Sequence, residues 1–428
     1  MRLDSVMVLR YFYEWCSMSP RFSFPLFSVS LAALSLAGTL VGAHADDTVE
    51  AWRLFVSDQE AGKVTAIDVE TGKTLGVFPL KGYATHLVPS DSGATVFAVQ
   101  MDHDAVDVLK SGVHLTDHGE HKDVELEDPA LLPVRQEGGR PVHAVMHGDE
   151  ILQFFDRDGE ARVLSEKALL EGKTEYDVVK VAAPHHGVAV PMGKYTLVSE
   201  PNLDVETKEG ELPPRLGLKV LDAEGKQAGE VAACTGLHGE ASSAGLVAFG
   251  CEEGVLVVRP NDDKAPVPEM IAYGDEMPEG RVGTLLGGKA MQFFLGNYGD
   301  DKVVIIEPAS EEPYRVVEFP VRRVDFALDP AKVKLAYVFT EDGRLHVLDV
   351  LTGKILRSAS ITEPYSKDGH WRDPRPRLAV MGESIAVSDP RKGLVRILDA
   401  DSLKETRTIP VEGLPFNVVA VGGSGIRH

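Results

Sequence analysis

The stretch Leu335-Ala-Tyr-Val-Phe-Thr-Glu-Asp-Gly-Arg-Leu-His-Val-Leu-Asp-Val-Leu-Thr-Gly-Lys-Ile355 holds two apolar runs and the start of a third, separated by turn residues. Short apolar runs bounded by Gly, Asp and Thr read as strands joined by tight hairpins. Glycine in such a turn supplies the positive φ that a tight hairpin needs. The unit recurs as Arg53-Leu-Phe-Val-Ser-Asp58 with Gly62-Lys-Val-Thr-Ala-Ile-Asp-Val-Glu-Thr-Gly-Lys-Thr-Leu75. It recurs again as Ser384-Ile-Ala-Val-Ser-Asp389 with Gly393-Leu-Val-Arg-Ile-Leu-Asp-Ala-Asp-Ser-Leu403. The turn Asp-x-x-Thr-Gly-Lys appears at 68–73 and at 349–354.

A further strand is expected to lead each unit. These leading strands begin near Thr85, Val142, His186, Leu237, Val282, Val324, Pro376 and Pro415. The last has no strands after it, and the unit that opens at Trp52 has no leading strand. The two incomplete ends complete each other. That is the pattern of a β-propeller of eight blades of four antiparallel strands, all-β, closed by pairing the C-terminal strand into the first blade. Residues 46–428 over eight blades give about 48 residues per blade, within the usual range. Seven blades with a large insertion is the alternative. The propeller is expected to be a single domain, with a His- and acid-rich loop insert at 102–140 and a Pro/Glu-rich insert at 201–215.

The chain is acidic, with 44 Lys+Arg against 66 Asp+Glu and a net charge of −22. That balance excludes the basic surfaces that nucleic acid and anionic lipid require. At the N-terminus, Arg21 precedes an apolar run from Phe22 to Gly42 that ends in Ala43-His44-Ala45. This reads as a signal peptide over 1–45, cleaved on export, with the translation start at Met1 or Met18. A membrane anchor is the alternative, and no later stretch is apolar enough to span a bilayer. Cleavage leaves Cys234 and Cys251, which are expected to pair in an oxidising compartment. The alternative makes one or both thiolates metal ligands.

Ten of the 14 histidines fall between His86 and His238. His86, His143, His186 and His238 stand at the starts of four consecutive leading strands. Leading strands line a propeller's central channel and run the same way. Their first residues therefore meet at one mouth, whatever their separation in sequence. Imidazole is a common ligand for zinc, and copper(II) also favours it. His118 and His121, in Asp117-His-Gly-Glu-His-Lys-Asp123, lie too close together to share a strand. Gly119 would let a loop curl both rings onto one ion, and this loop is expected to roof the mouth. His185 and His186 cannot both point inward on a strand, so one is read as a ligand and the other as its support. His103, between Asp102 and Asp104, completes the metal candidates His103, His118, His121, His143, His185, His186 and His238. His114, His147, His346 and His370 read as ordinary histidines.

Three passages carry a family resemblance. They are Asp117–Asp123 with the following Val124-Glu-Leu-Glu-Asp-Pro-Ala-Leu-Leu132, Arg140-Pro-Val-His143, and Ala183-Pro-His-His-Gly-Val-Ala-Val-Pro191. They resemble the periplasmic zinc metallochaperones of the AztD type, over nearly all of the chain after residue 45. The resemblance implies an eight-bladed propeller in the periplasm. It also implies delivery of Zn2+ to the solute-binding protein of a zinc ABC transporter. Asp46-Asp47-Thr48 brings no histidine cluster, so no extra N-terminal metal site is expected.

Two other functions suit the fold, because fold alone does not decide function. A lactonase-like metal hydrolase would need an open metal position with a general base, or a carboxylate-rich calcium site. A non-catalytic scaffold would leave the channel empty. Histidines dominate here, with neither a Ser-His-Asp set nor a Cys-x-x-Cys-His motif. The reading is a zinc carrier without catalysis, acting as a monomer.

Overall fold

The computed structural model describes residues 48–426 apart from Glu120 and Asp263; the expected signal peptide over 1–45 lies outside the described residues. The described chain is nearly all strand, in eight antiparallel four-stranded blades arranged as a β-propeller, with two further strands joined to the sheet of one blade. The leading strands of blades 2 to 8 are His86–Pro89, Pro141–His147, Ala189–Met192, His238–Ser243, Leu285–Leu286, Arg323–Leu328 and Leu378–Met381. Each pairs with the next strand in sequence, so every blade is a meander.

Blade 1 is the exception, and it closes the ring. Its innermost strand is Pro415–Ile426, which pairs antiparallel with Thr48–Asp58 in a register running from Thr48↔Ile426 to Asp58↔Pro415. Leu54, Val56 and Ile67 of blade 1 pack with Ala379, Ala386, Ile397 and Ile409 of blade 8 and with Val418 of the closing strand. Burying each large aliphatic side chain of such a seam contributes about 1.5–3 kcal/mol.

The middle strands carry the core. Thr95–Gln100 and Leu335–Thr340 are buried along their whole length. The repeated turn is built as the sequence indicates. The Asp68 carboxylate accepts from the Thr71 backbone N–H at 2.7 Å, and Gly72 sits at φ +72°. Asp349 and Gly353 repeat this, with Thr352 N–H at 3.1 Å and φ +70°. In the third copy Asp399 caps Ser402 at 2.7 Å, but Leu403 takes the left-handed conformation without being glycine. Its side chain is only 3% exposed, so its burial offsets the backbone cost.

The insertion is smaller than 102–140. Ala105–Lys110 and Ala130–Glu137 are the third and fourth strands of blade 2. Only the segment between them is inserted, and it forms a hairpin of Val113–Asp117 with Lys122–Leu126. The hairpin lies against blade 1 through a bridge between Asp123 and Ile426. Cys234 and Cys251 form a disulfide that joins the end of blade 4 to the residue just after the second strand of blade 5. A closed loop of that size stabilises by about 3 kcal/mol in the chain-entropy account.

The closing strand generates the first prediction. A chain ending at Leu414 should lose the cooperative thermal transition and bind a hydrophobic dye. A transition within a few degrees of the full chain's would contradict the closure.

Candidate metal centre

The leading strands begin at one mouth, and the first turns of four consecutive blades place an imidazole there. His143 lies on the blade 3 strand, His186 just before the blade 4 strand and His238 at the start of the blade 5 strand. Their rings converge. Centroid separations are 4.9 Å for His143–His186, 5.4 Å for His186–His238 and 6.1 Å for His143–His238. The Nε2 atoms of His143 and His186 stand 3.3 Å apart. Zinc–nitrogen bonds of about 2.0–2.1 Å in a tetrahedron place two donor nitrogens at about that separation.

Two of the rings are fixed in the tautomer a metal needs. His186 Nδ1–H donates to the Asp156 carboxylate at 2.8 Å. His238 Nδ1–H donates to the Gly283 carbonyl at 2.6 Å. Each hydrogen bond leaves the Nε2 lone pair free and aims it. Asp156 is fully buried and is itself held by the Gly187 N–H at 3.3 Å and by Arg140 at 3.3 Å. Arg215 reaches the carbonyls of His186 and Gly236, both at 3.4 Å, and so braces both crossovers. The disulfide at Cys234 anchors the crossover that leads into His238.

Burial favours the neutral form of His86, His143 and His238. Burial pushes His143 well below the ordinary histidine range, and the neighbouring imidazoles and Arg215 add to it. His238 is lowered chiefly by burial, against the Gly283 hydrogen bond. His86 is lowered to about 4 by burial, then by Arg377 and His186. Neutral imidazole is the form that ligates. Among the described residues, no group of three or more His, Cys, Asp or Glu stands, as placed, where it could hold a metal ion.

The other candidates lie elsewhere. His185 is fully buried, with Nδ1 against the Ala183 carbonyl at 2.9 Å and Nε2 against the Ser199 hydroxyl at 2.8 Å. Both nitrogens are engaged, so His185 braces the blade and has none left for a metal. His103 packs edge-on against Tyr83, in the turn between the second and third strands of blade 2, outside the trio.

His118 and His121 do come together, at the tip of the inserted hairpin. Their Nε2 atoms flank the Asp123 carboxylate at 2.9 and 3.3 Å. The hairpin does not roof the mouth. It leaves blade 2 at Lys110 and returns at Ala130, whereas the mouth-side ends of those strands are Ala105 and Glu137. A six-residue strand is about 20 Å long, so the hairpin pair and the mouth trio lie on opposite faces of the propeller.

Asp156 and Arg215 escaped the sequence reading, whereas His86's place at the mouth followed from repeat position. Asp156 sits in a hairpin turn, Phe155-Asp-Arg-Asp-Gly159, that reads as turn chemistry alone. Glu240 was also missed. It lies two residues past His238, and burial raises its carboxyl to about 7.

No protein-family model matches the chain. The zinc chaperone AztD of Citrobacter koseri is 45% identical over 403 residues, spanning 94% of each protein. The crystal structure of that protein superposes with a TM-score of 0.84 at 46% identity, covering 89% of this chain and all of the other. Its apo structure gives 0.82 at 45% identity, covering 88% and 99%.

The depressed imidazoles set the pH response of the metal-free protein. His86, His143 and His238 are lowered when folded, so the unfolded chain takes up protons first as pH falls. Their contribution to stability is whole above about 6.5 and is lost as pH falls through their lowered folded values, about 4 for His86. The melting temperature should therefore fall across that window, and more steeply in the parent than in a His86→Gln/His143→Gln variant. Equal slopes would contradict the assignment.

Proposed function

Because this chain belongs to the AztD family of zinc chaperones, we propose that it carries zinc at the mouth of its propeller, on His143, His186 and His238 with His86 beside them. The observation that carries this reading is the convergence of three imidazoles from three consecutive blades, two of them held with Nε2 presented. Zinc is the cargo, in keeping with the zinc chaperone that the chain resembles. Three neutral nitrogens bind the ion while leaving a position that an acceptor's own ligand can enter. An incoming ligand can thus form its bond before the last imidazole lets go.

His118, His121 and Asp123 form a second station on the opposite face. Its rings are half exposed, so it exchanges metal with solvent more readily than the mouth does. The acceptor is the solute-binding protein of a zinc ABC transporter, and the exchange takes place in the periplasm. The signal-like segment before Asp46 and the Cys234–Cys251 disulfide support an exported setting. Among the described residues no helix is long and apolar enough to cross a membrane.

Metal analysis by mass spectrometry on untagged protein tests the assignment. The parent should hold at least one zinc. A His143→Ala/His186→Ala variant should lose the tightly held ion, and a His118→Ala/His121→Ala variant should keep it. A parent that ignores added zinc would overturn the reading.

A further inference from the structure

The mouth is overhung by one connection, 361–377, which joins the outer strand of blade 7, Lys354–Ser360, to the leading strand of blade 8. It is a built strap. Arg375 is buried inside it and donates to the carbonyls of Ser366 and Asp368, both at 2.7 Å, and of His370 at 2.9 Å. Near blade 7 the strap is fixed by Asp368 to Arg322 at 3.0 Å and by Lys367 N–H to Glu341 at 3.1 Å.

Its far end is held by the Arg372 side chain and by one backbone contact. Arg372 donates to the Tyr83 hydroxyl at 2.7 Å and forms an ion pair with Asp102, both on blade 2. Its carbonyl accepts from Gln59 of blade 1 at 2.9 Å. The strap thus reaches past the mouth-side ends of blades 8 and 1. Trp371, beside this latch, lies over the His86 ring, 6.5 Å away and tilted by only 14°. The latch forms one wall of an open cleft of about 550 Å³, lined also by Glu60, Asp373, His370 and Leu414. The cleft offers three carboxylates, Glu60, Asp102 and Asp373; Arg372 pairs with Asp102, and Arg375 of the strap pairs with Asp373 at 3.7 Å.

We propose that this cleft is the docking point for a basic side chain, Lys or Arg, of the zinc-accepting protein, and that this side chain displaces Arg372 from Asp102 and releases the strap. The inference rests on the zinc-carrier reading above. The exchange is like for like. Asp102 keeps a cation throughout, so no carboxylate is left uncompensated. A partly exposed ion pair is a weak latch, which suits one that must open. Once Arg372 lets go, Trp371 can leave His86 and the imidazole site opens on the side facing the partner.

The test is the rate at which zinc-loaded protein gives its metal to a chromogenic chelator in stopped flow, with Trp fluorescence recorded alongside. Arg372→Ala should release zinc about tenfold faster than the parent, and Arg372→Lys should stay within about threefold of it. Tyr83→Phe, which removes one latch contact, should be intermediate. Tetralysine should speed release from the parent and leave Arg372→Ala unchanged. Parent-like release from both Arg372→Ala and Tyr83→Phe would overturn the latch. A parent indifferent to tetralysine would overturn the docking point. A parent that holds no zinc would instead overturn the carrier reading, so the two failures are distinguishable.

Discussion

Everything at the mouth depends on the pairing of Thr48–Asp58 with Pro415–Ile426. That pairing turns a row of four-stranded sheets into a ring. Only in a ring do the starts of the leading strands face one another. His143 and His186 are 43 residues apart in sequence, yet their Nε2 atoms stand 3.3 Å apart. No local interaction could bring them together. The apolar seam between blades 8 and 1 therefore supports the convergence of the imidazoles as much as their own strands do.

The supporting groups follow the same logic of neighbours. Asp156 belongs to blade 3 and orients a ring of blade 4. Gly283 precedes the leading strand of blade 6 and orients a ring of blade 5. Each ring is thus fixed by an adjacent blade, so a small change in the packing between blades changes where its lone pair points. Burial lowers the affinity of His143 and His238 for protons, which favours a metal ion as the cation they bind. The two faces differ in kind: the mouth rings are packed among blades, and the hairpin rings stand out in solvent.

Much of the fold was legible because its signals are local. The turns at Asp68–Lys73 and Asp349–Lys354 show hairpins in a few residues, and the orphaned strand at Pro415 with the headless unit at Trp52 shows closure. The four mouth histidines followed from repeat position. Which of His185 and His186 faces the mouth was not legible. Both precede the strand that begins at Ala189, so strand alternation does not govern them. The segment 113–126 read as a loop because Gly119 and the charges around it mask the alternation of Val113 and Leu115 with Val124 and Leu126. Its face of the propeller follows only from knowing which strands of blade 2 it joins. Asp156 was invisible because its partner is 30 residues away and its local sequence is that of a turn.

The central claim is that mouth imidazoles hold the metal. X-ray absorption at the zinc edge, on a His118→Ala/His121→Ala variant loaded with one equivalent of zinc, tests it most directly. The account predicts a nitrogen shell at about 2.0–2.1 Å carrying the outer-shell signature of three imidazoles. A spectrum without imidazole scattering, or a variant that fails to retain the ion, would contradict it.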